Sequence, residues 1–447
     1  MVRDPILETG GGGDVLSIVA VISRLCLRFL LVHAVALVVA APVPAQAQAG
    51  GDFEVHGFVL GNLASRFGGD HPPGPEGGTF LLGEGRARLD VGWWADAVEL
   101  SAVFKADAIY DGVASDLDAD LREAYLDYSA GPIDVRGGRQ IVTWGVGDLL
   151  FINHVFPKDW VSFFSGRPLE YLKIGADGLR VRYSSPAMNG EVVVMPRFQP
   201  DNLPVASRFF FYDPFAGVAA RHEVQPPTSL ENTEVAARAY RRLGGLDLAG
   251  YAYRGFWRSP GALPDDPSLP TQLTFFYPEL SVYGASAQRS LLRGVLSLEL
   301  GYYDSRQDRS GTDPAVPNSQ TRFLIGYQRQ LAEELTVGLQ YYAELMQDYA
   351  AYRSNLPEGF PAQGRYRDTV TVRLTKMLKH QTWRLSLFAF VSPADADYLL
   401  IPEASYRLSD RLSATGGVNV FGGEHGTTFL GQFDRNDNAY AALRFDF

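Results

Sequence analysis

The chain has 447 residues, a formal net charge of -11, 12% aromatic residues and a single cysteine. An acidic balance with both signs of charge interspersed excludes nucleic acid as a partner, because that class of ligand requires a basic face. The one cysteine, Cys26, falls in the first fifty residues, so the remainder can hold neither a disulfide framework nor a cysteine metal site.

Residues 25–41 form an apolar run behind Arg24 and Arg28, followed by Pro42, Pro44 and the small-residue run Ala45-Gln46-Ala47-Gln48-Ala49. This is the pattern of a cleavable secretory signal. Arg28, His33 and the two prolines argue against a retained anchor, which needs roughly 20 apolar residues to span a bilayer. The expected organisation is an N-terminal extension and signal peptide over 1–49 and one exported domain over 50–447. In a membrane that domain crosses as strands, since only helices and closed barrels satisfy every backbone group in lipid.

The strand signal is alternation with period two. In residues 83–94, Ala87, Leu89, Val91 and Trp93 share one face while Arg86, Arg88 and Asp90 share the other. The same pattern predicts strands at 53–66, 83–94, 97–110, 120–129, 132–144, 175–186, 189–198, 232–243 and 245–257. It continues at 275–289, 293–306, 320–330, 333–346, 366–378, 381–393, 398–408, 411–423 and 438–447, eighteen strands in all. Sixteen is the alternative if 189–198 and 232–243 are not strands. Tight connections such as Ala95-Asp96, Ala130-Gly131 and Ser409-Asp410 alternate with longer segments, among them 67–82, 199–231, 258–274 and 347–365. Short turns at one end and long loops at the other are the asymmetry of an outer-membrane barrel. The expected fold is therefore an all-β transmembrane antiparallel β-barrel, placed in the cell outer membrane among its lipids and lipopolysaccharide. In the last strand Ala441, Leu443, Phe445 and Phe447 alternate with Ala442, Arg444 and Asp446. Phe445 and Phe447 are the candidate signal for the barrel assembly machinery.

One long aromatic-rich interruption, 145–174, breaks the strand pattern. Gly145 and Gly147 let the chain turn away from its strand. Trp144, Phe151, Phe156, Trp160, Phe163, Phe164 and Tyr171 are too apolar for a free surface loop, while Asp148, His154, Lys158, Asp159 and Arg167 supply polar contacts. An eighteen-stranded barrel is wide enough for an aqueous channel, so this loop is the candidate constriction, folded into the bore. The alternatives are a loop that caps the rim or packs on a neighbouring subunit.

Inward placement of the strand charges is required because an Arg or Lys facing lipid at mid-depth costs about 2–4 kcal/mol. Arg86, Arg88, Arg180 and Arg182, each pair two apart on one face, are candidates for a basic track that guides anionic solutes. The plainer reading is a charge ladder paired across strands. Asp111, Asp116, Asp118 and Asp120 lack a glycine at the sixth position from Asp116, which is Leu121, so no calcium loop is expected; no metal or cofactor is assigned. The chain contains neither G-x-S-x-G nor H-E-x-x-H. His154 near Ser162 and Ser165 is the one constellation that a hydrolase reading can use, and the chain is not expected to be an enzyme.

The opening strand FEVHGFVLGNLASRF, the motif GRQIVTWG at 138–145 with FINHVFPKDW at 151–160, and the terminal RFDF together resemble a family of Gram-negative outer-membrane porin-like β-barrel proteins. The resemblance implies an outer-membrane barrel and carries over neither a substrate nor a catalytic residue. The leading expectation is a channel for passive diffusion of small anionic or amphipathic solutes, constricted by loop 145–174. A largely closed structural or surface-interaction barrel is the alternative, supported by the aromatic runs Phe209-Phe210-Phe211-Tyr212 and Phe275-Phe276-Tyr277. Homotrimerisation is expected by analogy alone.

Overall fold

The computed structural model describes residues 51–74, 76–95 and 99–447. The expected signal peptide and N-terminal extension, 1–49, lie outside the described residues. The strands in chain order are β1 (Asp52–Arg66), β2 (Phe80–Ala95), β3 (Leu100–Asp111), β4 (Asp116–Ala130), β5 (Ile133–Gln140), β6 (Ala176–Tyr183) and β7 (Asn189–Met195). They continue with β8 (Ala220–Val224), β9 (Glu234–Leu243), β10 (Leu246–Phe256), β11 (Gly261–Pro264), β12 (Gln272–Phe276), β13 (Glu279–Leu291) and β14 (Gly294–Ser305). The last seven are β15 (Gln320–Ala332), β16 (Leu335–Met346), β17 (Tyr366–Leu378), β18 (Trp383–Ser392), β19 (Asp397–Arg407), β20 (Leu412–Gly423) and β21 (Asn438–Asp446).

Eighteen of these strands form one antiparallel ring that closes where β1 pairs with β21, from Phe58 opposite Asp446 to Arg66 opposite Asn438. Closure leaves no unpaired edge, which is what a lipid environment demands of a sheet. The remaining three, β8, β11 and β12, make a small separate sheet in the long loops, with β12 and β8 parallel. Short helices α1 (Trp160–Ser165) and α2 (Tyr349–Asn355) also lie in loops.

The outer wall is apolar, and the inner wall carries the strand charges together with the apolar residues on which the loop between β5 and β6 packs. On β14 the carboxylate residue Glu299 is 2% exposed, whereas its neighbours Leu298 and Leu300 are 36% and 48% exposed. A water-soluble sandwich would reverse that order; a lipid-facing wall requires it.

Two strand expectations are corrected. The strand expected at 132–144 ends at Gln140, because Gly138 adopts a positive φ of 126° and the Ile141 N–H donates to the Glu123 carboxylate instead of to a ladder partner. The strand expected at 275–289 begins at Glu279, since Phe275 and Phe276 belong to β12 and Pro278 has no N–H to give the ladder.

Candidate functional site

Residues 141–175, between β5 and β6, run through the barrel and anchor on both sides of it. The loop leaves the fifth strand of the ring and its Asp148 carboxylate receives two hydrogen bonds of 2.8 Å from Arg373 on β17, the fourteenth. Nine positions apart in a ring of eighteen is the far wall. The anchors also fix the height. Glu299 is the sixth of the twelve residues of β14, Gln340 the sixth of twelve in β16 and Arg373 the eighth of thirteen in β17. All lie near mid-strand, so the loop crosses at mid-depth.

The first limb is organised by one carboxylate. Glu299 accepts from the backbone of Val146 (2.8 Å), Gly147 (3.2 Å) and Asn153 (2.8 Å) and from the Asn153 side chain (2.9 Å). A buried carboxylate needs such donors to offset lost hydration. Gly145 makes the turn possible: its φ is 85°, and a Cβ there would stand 2.8 Å from Glu299 Oε1. Gln340 both donates to the Asp148 carbonyl and accepts from its N–H. Trp144 donates its indole N–H to Glu191 at 3.2 Å and meets Phe156 edge-on at 5.1 Å.

At the middle of the loop Lys158 is buried, with its ammonium donating to the carbonyls of His154 and Phe156, each at 3.0 Å, and lying 4.9 Å from the Phe151 ring. Burial, only partly opposed by Asp201, pushes this ammonium down to about 8. Burial, followed by the charges of Lys158, Lys173 and Arg258, holds the His154 imidazole well below its ordinary value, so it is neutral. Its Nδ1 accepts from the Trp144 N–H, and Ser162 Oγ donates to Asp159. No hydrogen bond joins His154 to Ser162 or Ser165, so the structure does not assemble the hydrolase constellation.

The second limb packs along the arc that runs from β18 through β20 to β2. Asp159 caps α1 by accepting from the Ser162 N–H at 2.9 Å, and Gly166 ends the helix with a φ of 78°. Such a cap is worth about 1 kcal/mol. The six-residue helix is then held mainly by its aromatic face: Phe163 lies against Phe390, and Phe164 lies 4.3 Å from Phe433 and 5.8 Å from Phe421. Trp160 stacks on Phe164 and donates to Asp201 at 2.9 Å. Beyond it Arg167 pairs with Glu84 at 2.7 Å.

Tyr171 ends the limb beneath three guanidinium groups, Arg86 at 4.1 Å, Arg122 at 5.0 Å and Arg88 at 5.1 Å from its ring centre. Arg86 and Arg88 share the buried Asp107 carboxylate, each with a contact of 2.5 Å, and Arg88 also reaches Glu170 at 3.2 Å. Arg122 arrives there through a bulge: Glu123 faces Lys105 and Leu121 faces Ala106, leaving Arg122 as the extra residue. It donates to the Glu170 carbonyl at 2.8 Å.

The other predicted pair lies apart from this clamp. Arg180 and Arg182 share the inner wall with Arg136 and Arg238, facing the carboxylates of Asp127, Asp134 and Glu191. Four cations meet three anions, and the Arg182 side chain is 38% exposed while that of Arg86 is 4% exposed. Phe445 and Phe447 are exposed on the final strand, and the Phe447 backbone exchanges two hydrogen bonds with Gly57.

The sequence placed the aromatic residues of the loop as a group but did not single out Glu299, Gln340, Arg122 or Arg258 as anchors. Only Glu299 carried a signal, as a charge between two leucines in mid-strand. Arg258 follows β10, is buried, and donates to the Val155 carbonyl while pairing with Glu234 at 2.9 Å.

No protein-family model and no curated protein matches this sequence. Among solved structures, OccAB3 of Acinetobacter baumannii aligns over 89% of this chain and 99% of its own, with a TM-score of 0.51 at 11% identity. OmpF of Salmonella typhi, in a complex with daunomycin, covers 90% of this chain and 99% of its own with a TM-score of 0.43 at 10% identity. The first likeness is one of fold, and the second is looser. The class defined here is a closed eighteen-stranded antiparallel β-barrel of the outer-membrane type, crossed internally by a long loop.

Proposed function

We propose that this protein is an outer-membrane channel for small anionic or amphipathic solutes, narrowed at mid-depth by loop 141–175. The observation that carries the reading is the anchoring of that loop to opposite walls by inward-facing polar side chains, Glu299 and Arg373 on one side and Glu84, Arg88 and Arg122 on the other. Such a bridge divides a bore that would otherwise be wide. Arg136, Arg180, Arg182 and Arg238, with their one uncompensated charge, form the basic patch along the remaining wall. Arg86 and Arg88, sealed against Tyr171 and Asp107, hold the loop in place rather than facing the solute.

A second reading, a barrel largely closed by its loop, is favoured by the burial of Phe156, Phe164 and Ile152 in two separate hydrophobic clusters. Single-channel conductance in a planar bilayer separates the two. The channel reading expects steady conductance that rises sharply when 148–170 are deleted, with anions passing in preference. A silent intact barrel beside a conducting deletion supports the closed reading. Silence from both folded proteins overturns the channel.

A further inference from the structure

The outer wall carries a second charged feature that solute passage does not use. At the long-loop end, Ala237, Ala252, Tyr283 and Tyr302 sit side by side on β9, β10, β13 and β14 and face outward. Tyr283 and Tyr302 are 54% and 42% exposed, as members of an interfacial aromatic girdle are. The two alanines leave a notch in that girdle. One outward position nearer the rim, Arg254 lies between Val235 and Ser281, about 6–7 Å above the tyrosines from the rise of a strand. This is headgroup height.

The notch opens into a cavity of about 610 Å³ with Val235, Ala237, Ala252 and Tyr283 on its apolar side and Arg254, Arg306 and Arg309 on its rim. Arg309 is held by Asp304 through two contacts of 2.9 Å, and Arg306 is shared between Glu279 at 2.8 Å and the Gly255 carbonyl at 3.0 Å. Arg254 is exposed and, among the described residues, has no hydrogen-bond or ion-pair partner. A guanidinium on the lipid side of the wall, aimed away from the lumen, is stabilised by an anion in the headgroup layer.

We propose that this notch is a binding site for the phosphate-bearing glycolipid of the outer leaflet, lipopolysaccharide. Its phosphate lies against Arg254 and Arg306, and an acyl chain fills the gap beside Tyr283. Guanidinium groups suit phosphate through paired donors. A two-fold contact between copies through the patch would set arginine against arginine, and a three-fold contact, which joins unlike faces, is one outcome of the test below.

Native mass spectrometry of the detergent-solubilised barrel tests the site with three probes: bis-phosphorylated lipid A, dephosphorylated lipid A with the same acyl chains, and inorganic phosphate. The intact protein is expected to retain one bis-phosphorylated lipid A and to bind both other probes at least roughly tenfold more weakly. Arg254→Glu is expected to weaken lipid A retention by a similar factor. Arg254→Ala, which breaks no side-chain hydrogen bond or ion pair among the described residues, serves the same purpose if the reversed charge prevents insertion. Equal retention of lipid A by a folded variant overturns the proposal, as does equal binding of the dephosphorylated lipid or of free phosphate. Loss of subunit association in Arg254→Glu with lipid A retention unchanged overturns it in favour of a contact between copies.

Discussion

Two arginine pairs share one local pattern, Arg86-x-Arg88 on β2 and Arg180-x-Arg182 on β6, and both point into the barrel. On β2 the pair is covered: Asp107 pairs with both arginines, the Tyr171 ring packs against them and Glu170 reaches Arg88. On β6 nothing comparable caps the pair, and Arg182 keeps a 3.5 Å contact with Asp134 in a partly exposed setting. Strand periodicity decides which way a side chain points. Whether it then becomes a clamp or a solvent-facing charge depends on which loop residue comes to rest on it, and that partner comes from more than eighty positions along the chain. The same R-x-R pattern therefore sits once in a closed clamp and once on a partly exposed wall within one lumen.

The comparison breaks most visibly at Asp107. Asp107→Ala leaves two arginines without their shared carboxylate and is expected to cost about 3–5 kcal/mol, read as a lower unfolding temperature in heat-modified gel migration. Next comes Tyr171→Ala, which removes the ring beneath three guanidinium groups and is expected to cost about 1–2 kcal/mol together with noisier single-channel current. An intermediate effect is expected from acid. The folded His154 imidazole lies below its unfolded value near 6.5, so the unfolded chain takes up the proton first. Stability is then full above about pH 6.5 and falls as the pH drops below it. His154→Phe should flatten that slope in unfolding curves between pH 7.5 and 5, and an unchanged slope would remove the residue from the account.

Arg182→Ala should alter stability by less than about 1 kcal/mol, yet move the reversal potential toward cation preference; an unmoved potential rules out the basic patch. The smallest effect belongs to Tyr171→Phe. The Tyr171 hydroxyl is buried without a hydrogen-bond partner, so its removal is expected to leave the unfolding temperature unchanged or raise it slightly.

Much of this architecture was legible in the chain. Eighteen strands, the alternation of short and long connections and the inward charges all follow from a period-two pattern that every strand repeats. The loop stood out because Phe163, Phe164 and Trp160 have no place in a free surface segment. Its anchors were hidden for a different reason. Glu299 and Gln340 lie about 150 and 190 positions from their partners, and a one-residue bulge, which no composition signal marks, aims Arg122. Trp144 closed the strand expected at 132–144, but the ladder ends at Gln140 and the Trp144 indole donates to Glu191 inside the barrel.

The seam between β1 and β21 is backed from inside by the crossing loop. Those strands are the first and last of the ring in chain order, and both lean on it: Arg88, which lies over Tyr171, also covers Phe58 on β1, Arg444 on β21 covers Phe58 and pairs with Glu170, and Tyr440 packs where Gly166 leaves room. One segment from between β5 and β6 therefore touches both strands of the seam. The cylinder is thus joined on its inner side as well as along its ladder: both ends of the ring grip one internal segment.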